Sequence, residues 1–290
     1  MSQGFPEILD IKAFSGMLDS AFTSLVSNYG TALGNFFLPL LKLLNAFEHM
    51  LQALPWWAVV MALALLGWVM ARSWKTAALV AALTFGVGLV GVWDAAMATL
   101  ALMLVSTLLA ILIGVPLGIA MSRWNRLRMV ALPVLDIMQT MPIFVYLIPF
   151  VMLFGPGKIP ALLATIVFAI PPVIRLTDLG IRQVDAETIE AVHSFGASPA
   201  QTLFSVQLPL ALPTIMAGIN QTTMMALSMV VIASMIGAGG LGYQVLQGIQ
   251  RLEVSRGLLA GVGIVLLAIV FDRIAQGYGR RVQNALKQEN

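Results

Sequence analysis

The stretch Glu190-Ala-Val-His-Ser-Phe-Gly196, followed by Ser198-Pro199 and Leu208-Pro209, carries the residue types and spacings in this chain that point to work. That work is mechanical, not covalent. Asp185 is placed to cap a helix whose first turn carries Glu187, where acidic groups complement the helix dipole. Gly196 ends that helix, and Ser198-Pro199 read as the N-cap and first residue of a second short helix. At about 100° per residue, Ala191, Val192 and Phe195 share one face, and Glu187, Glu190 and Ser194 share the other. The segment is too polar to cross a bilayer yet lies between apolar spans, so one face can dock while the other stays wet. The competing reading is an amphipathic loop lying on the membrane surface with no partner.

Covalent chemistry has little to build on elsewhere. The chain has 2 histidines, His49 and His193, and 0 cysteines, which removes disulfides, thiol catalysis and Cys-based metal sites. No Ser/His/Asp set, paired carboxylate or metal cluster stands out. A phosphate-binding Gly-x-x-x-x-Gly-Lys-Ser/Thr loop is missing, and Gly155-Pro156-Gly157-Lys158 has the wrong spacing for one. An enzyme is therefore not expected, and no cofactor or metal of the chain's own.

The elements that must hold the segment follow from composition. With 59% hydrophobic and 10% charged residues and a mean hydropathy of +0.93, the chain is an all-α polytopic membrane protein. Runs long enough to cross about 30 Å of hydrocarbon fall near 55–71, 74–93, 95–121, 130–154, 159–180, 209–237 and 258–273, which makes about seven spans. Before them, residues 31–54 carry Leu33, Phe36, Phe37, Leu40, Leu41, Leu44, Phe47 and Leu51 at helical spacing, interrupted by Lys42, Glu48 and His49. They predict an interface-lying helix, not an eighth span.

Basic residues are unevenly divided between the two sides of these spans. Arg72, Lys75, Arg123, Arg126, Arg128, Arg175, Arg182, Arg273, Arg280, Arg281 and Lys287 fall on one side, and Lys12, Lys42, Lys158, Arg251 and Arg256 on the other. The richer side is cytoplasmic by the positive-inside rule. That orientation puts the N-terminus outside and both the C-terminus and the Glu190 loop inside. Dispersed among loop ends, the net charge of +3 reflects topology and implies no nucleic-acid partner.

Several spans carry helix breakers: Gly114, Pro116 and Gly118 in one, Pro142 and Pro149 in the next, Pro171-Pro172 in the third. Irregular backbone at membrane depth is tolerated where it faces protein or a water-filled path, so these are candidate path or hinge sites, or kinks that only shape packing. Around the second break, Asp136, Gln139, Pro142, Phe144, Tyr146 and Pro149 are the candidate pathway residues, with Phe150 nearby. Aromatic faces hold cations, although membrane aromatics also face lipid or core. Asp136, Arg175 and Asp178 are the few ionisable residues near or within spans, fewer than ion-coupled carriers use. The Gly237, Gly239, Gly240 and Gly242 cluster on the outside allows either a tight re-entrant turn or an ordinary flexible loop.

Glu190, Ala191, Gly196, Leu208 and Pro209 are in register with the Glu-Ala-Ala loop of permease subunits of ATP-binding-cassette (ABC) importers, with Val192 and Val206 as departures. Residues 136–149 and 236–250 further resemble the glycine betaine/proline betaine permeases, a branch that includes choline permeases. The resemblance implies a MetI-like importer permease core at 94–275, with a cytoplasmic coupling loop at 182–208. Around that core it implies an external segment at 1–54, two accessory spans at 55–93 and a cytoplasmic tail at 276–290. It also implies an inner-membrane location, a second permease copy, an external substrate-binding protein, and a cytoplasmic ATPase that binds the ATP and receives the coupling loop. An ion-coupled carrier or channel for small solutes is the alternative, and a non-transporting scaffold a third.

Overall fold

A computed structural model of the chain describes residues 11–288, and every regular element among them is helical. Of the 1–54 and 276–290 segments, residues 1–10 and 289–290 lie outside the described residues. The first helix, α1, runs from Ile11 to Ala53 and extends the interface helix predicted over 31–54. It then meets α2 (Trp56–Ala71) at a bend of 109°. Next come α3 (Trp74–Leu89), α4 (Trp93–Arg123), α5 (Asn125–Thr140) and α6 (Ile143–Phe154). They are followed by α7 (Lys158–Ala169), α8 (Pro171–Arg182) and α9 (Ala186–Ser194). Beyond the loop stand α10 (Pro199–Gln201), α11 (Leu208–Ala233), α12 (Leu241–Gln250) and α13 (Val254–Gln288).

The seven-span expectation is reduced. Among the described residues, four helical runs are long and apolar enough to cross, and up to six if each bent pair counts as one span. The predicted 130–154 span is not straight, because α5 and α6 meet at 97° where Pro142 follows Met141. The residue before a proline is pushed out of the helical region, and Met141 has an extended ψ of 135°. At 16 residues, α3 falls short of the usual spanning length.

The expected break at Gly114, Pro116 and Gly118 does not occur, since α4 runs through all three. The glycines instead admit a neighbouring helix. A Cβ on Gly114 would stand 2.4 Å from Val173 Cγ1, and one on Gly118 would stand 2.5 Å from Thr177 Cβ and 2.7 Å from the Ile174 carbonyl oxygen. Pro149 lies inside α6 without ending it. Pro171 and Pro172 occupy the first turn of α8, where a missing N–H costs nothing, within one continuous crossing from Lys158 to Arg182.

Around α4, helices α7, α8 and α11 form the core. Close approach recurs where Gly180 faces Ala211 and Thr214, and where Gly218 faces Val173 and Leu176. The α2–α3 hairpin packs on α13, with Gly277 against Ala71 and the Arg281 guanidinium donating to the Val69 carbonyl at 3.1 Å. On the other flank α1 buries Leu44 and Leu51. There Lys158 Nζ reaches Glu48 at 2.8 Å and donates to Asn45 Oδ1 at 2.9 Å, fastening α1 to the start of α7.

The glycine cluster forms a tight turn. Gly237, Gly239 and Gly240 have φ of +105°, +79° and +88°, values that favour glycine. They fold α12 back onto α11 so closely that a Cβ on Gly242 would lie 1.9 Å from the Val231 carbonyl oxygen. The Leu241 N–H donates to Thr99 Oγ1 at 2.9 Å, tying this turn to α4.

Candidate functional site

Between α8 and α11 the chain leaves the helical core and projects a loop built as its capping chemistry dictates. Asp185 Oδ1 accepts the Glu187 N–H at 3.2 Å and starts α9. Gly196, at φ +81°, stops it. The Ala197 N–H reaches the Val192 carbonyl at 3.3 Å and the Gly196 N–H reaches the His193 carbonyl at 2.9 Å, the paired bonds of a Schellman cap. Ser198 and Gln201 form a reciprocal capping box, with Pro199 as the first helical residue.

The second short helix expected from Ser198-Pro199 does not stand alone. α10 continues through a π-helical turn, Thr202–Gln207, directly into α11. Pro209 has no N–H to give and its ring crowds the carbonyl four residues earlier, so the wider turn ahead of it accommodates a clash that a regular α-helix would suffer. Leu203 in this turn packs with Ile181, Ala211 and Ile215, a small apolar cluster that roots the loop between α8 and α11.

No residue of α9 is buried. Thr188, Ile189 and Val192 are half-covered, whereas Glu187, Glu190 and Ala191 are exposed. Phe195 is 91% exposed. Its ring stands at the surface beside the glycine stop, and nothing lies within 4 Å of a Cβ built on Gly196. Leu208 is half-buried and Pro209 exposed, both behind the loop at the head of α11.

An arginine network fixes the base of the loop. Asp178, 3% exposed, accepts from Arg128 Nε at 2.9 Å and from Arg182 Nε at 2.8 Å. The same Arg182 donates through Nη2 to the Met121 carbonyl and to Asn125 Oδ1, each at 2.9 Å. Arg123 Nη2 donates to the Pro199 carbonyl at 2.8 Å. Asp136, also expected within a span, is paired with Arg175.

The candidate pathway residues differ in exposure. Asp136, Gln139, Pro142, Phe144 and Pro149 are exposed, whereas Tyr146 is 3% exposed. Its hydroxyl donates to the Met138 carbonyl across the α5–α6 bend, and its ring meets Phe168 edge-on at 5.5 Å. Tyr146 holds the bend together and presents no free aromatic face to a cation.

Sequence reasoning missed a second surface, on α11. Leu210, Thr214, Ala217, Gln221, Met224 and Ser228 recur at three- and four-residue intervals and stay exposed or half-exposed. Other exposed helix faces are bulky and apolar, such as Leu108, Leu112 and Ile113 on α4. The signal was the run Asn220-Gln-Thr-Thr223 in the middle of an apolar span. Gln221 is the exposed member of that run, whereas Thr222 and Thr223 are buried, and Asn220 Oδ1 and Thr222 Oγ1 have no hydrogen-bond partner among the described residues. Polar side chains at that depth face water or protein, not lipid.

Three comparisons bear on these features. A family model described as "Binding-protein-dependent transport system inner membrane component" matches residues 110–284. The chain is similar to the glycine betaine/proline betaine transport system permease protein ProW of Escherichia coli (strain K12), at 53% identity over 242 residues, 83% of this chain and 68% of that protein. It is also 45% identical to the glycine betaine/carnitine transport permease protein GbuB of Listeria monocytogenes, over 83% of this chain and 87% of that one. Among solved structures it resembles the inward-facing MetNI methionine ABC transporter, with a TM-score of 0.55 and 25% identity, over 64% of this chain and 92% of that chain.

Proposed function

From the chain's membership in the family of binding-protein-dependent transport inner-membrane components, we propose that it moves glycine betaine, proline betaine or a choline-type quaternary amine inward, driven by a separate ATPase. It is a multi-pass ABC permease. The observation that carries the proposal is the projecting loop with its uncovered Phe195, Schellman-capped at Gly196 and rooted between α8 and α11. On this reading Glu187, Glu190, Ala191, Val192, Phe195 and Gly196 seat in a groove of a cytoplasmic ATPase, with the N-terminus of the chain outside and its C-terminus inside. Leu208 and Pro209 pass the motion into α11. ATP is bound by the partner, and an external binding protein delivers the solute beside the Gly237–Gly242 turn. A second copy completes the path, with the α11 face that carries Gln221 lining it. The substrates in the relatives' names support the amine class.

An ion-coupled carrier needs carboxylates free to bind the coupling ion. Asp178 is held by two arginines and Asp136 by a third, which favours the ATP-driven reading. In proteoliposomes containing this chain, its ATPase and the binding protein, labelled glycine betaine is expected to accumulate only when ATP is supplied on the ATPase side. Uptake by the chain alone, or uptake that follows a sodium or proton gradient without ATP, overturns the proposal.

A further inference from the structure

Both roots of the projecting loop are tied to the same corner of the permease, where α4 ends at Arg123 and α5 begins at Asn125. Upstream, Arg182 at the end of α8 spreads its planar guanidinium over three acceptors: Asp178 Oδ1, the Met121 carbonyl and Asn125 Oδ1. Downstream, Arg123 at the end of α4 donates to the carbonyl of Pro199, the first helical residue after the glycine stop. Asp178 binds the two halves by accepting from Arg128 on α5 as well. Met121 offers a last-turn carbonyl that has no partner within its own helix, and cations are favoured at that end of the helix dipole.

From this arrangement we infer that Arg123 and Arg182 are positioning residues of a two-point clamp, which delivers displacement of the coupling loop to the α4–α5 corner. The inference rests on the proposed docking of an ATPase at that loop. Besides the direct chain link back into α8, two mechanical routes lead out of the loop. One is covalent, through the π turn Thr202–Gln207 into α11, and that turn interrupts regular α-helical bonding. The other is the clamp, made of charge-assisted hydrogen bonds of 2.8–2.9 Å. Beyond the corner, α5 leads to the 97° bend into α6, so a pull on the corner repositions the helix pair that the bend joins. Without the clamp, the loop still seats in its partner and still drives α11, while α4 and α5 lag behind. Nucleotide is then hydrolysed with little solute moved.

The side-chain chemistry separates the two arginines. Arg123 makes one bond, which a lysine ammonium can also make, whereas the three acceptors around Arg182 require the guanidinium fork.

The test is solute transported per ATP hydrolysed, measured in proteoliposomes holding chain, ATPase and binding protein. Arg123→Ala is expected to lower that ratio at least on the order of fivefold, the factor that about 1 kcal/mol makes, while binding-protein-stimulated hydrolysis falls less than the ratio does. Arg123→Lys is expected to restore the ratio, and Arg182→Lys is not. An unchanged ratio in Arg123→Ala, whether the two rates fall together or neither falls, overturns the clamp. Gly196→Trp run in parallel keeps the two failures apart. If it abolishes uptake and stimulated hydrolysis while Arg123→Ala keeps its ratio, only the clamp is wrong. If Gly196→Trp changes neither rate, the docking of the loop itself is wrong.

Discussion

Replacing Phe195 with aspartate is expected to cut ATP-driven uptake at least about 30-fold while leaving the amount and thermal stability of the membrane protein unchanged. The ring is 91% exposed and contributes almost nothing to the chain's own core, so exchanging it there shifts stability by no more than about 0.5 kcal/mol. Covered by a partner, the same ring is a central aromatic anchor, and such anchors cost about 2–4 kcal/mol when lost. A carboxylate buried in an apolar groove adds a desolvation penalty to that loss. Uptake assayed beside a melting curve of the detergent-purified protein separates the two effects. A variant with normal uptake removes Phe195 from the interface, and a variant that fails to accumulate shows the ring to be structural.

A leucine at Gly118 is expected to have the opposite signature, with little folded protein recovered. The Cβ alone would stand 2.7 Å from the Ile174 carbonyl and 2.5 Å from Thr177 Cβ. Ile174 and Thr177 are buried at that contact, so the backbone there has no room to step aside, and three further carbons have no space to enter. Overpacking of this kind costs about 1–3 kcal/mol and more when backbone must move, and α4, α8 and α11 all meet at this level. Gly261→Ala is the matched control, because nothing lies within 4 Å of a Cβ there and the residue is mid-helix in α13. That change is expected to be neutral or to stabilise by about 0.5–1 kcal/mol. Monodisperse protein recovered in detergent reports both variants, and normal recovery of the Gly118 variant contradicts the close packing of α4 on α8.

The projecting loop was legible in the sequence because its determinants are local. Asp185, Gly196, Ser198 and Pro199 act on backbone groups no more than a few residues away, and each does what its chemistry predicts. The spans predicted near 95–121, 159–180, 209–237 and 258–273 were legible for a similar reason, since bilayer thickness sets a length that hydropathy can count. What could not be read depends on residues distant in sequence. Gly114 and Gly118 look like helix breakers until α8 arrives to use the space, and Tyr146 looks like a path aromatic until Phe168 and the Met138 carbonyl take its ring and hydroxyl. Of the two arginines on Asp178, Arg182 is one helical turn away, whereas Arg128 lies 50 residues away and could not be read from spacing. The bend between α5 and α6 was signalled by Pro142, but a proline inside an apolar run does not say whether the helix kinks or turns by 97°. The exposed face of α11 shows in the sequence only through Gln221, because its neighbours Thr222 and Thr223 are buried and the surrounding run is apolar.

ATP-driven coupling depends on the loop standing in the cytoplasm and being covered there by the motor that moves it. With 0 native cysteines, one introduced thiol reports on one position only. Glu190→Cys on the exposed flank of α9, treated with a membrane-impermeant maleimide, is the direct measurement. Coupling through this loop predicts no labelling in intact right-side-out cells, rapid labelling in inside-out vesicles stripped of the ATPase, and protection of the thiol when the ATPase is added back. Labelling from outside the cell, or labelling from inside that the ATPase leaves unchanged, would contradict it.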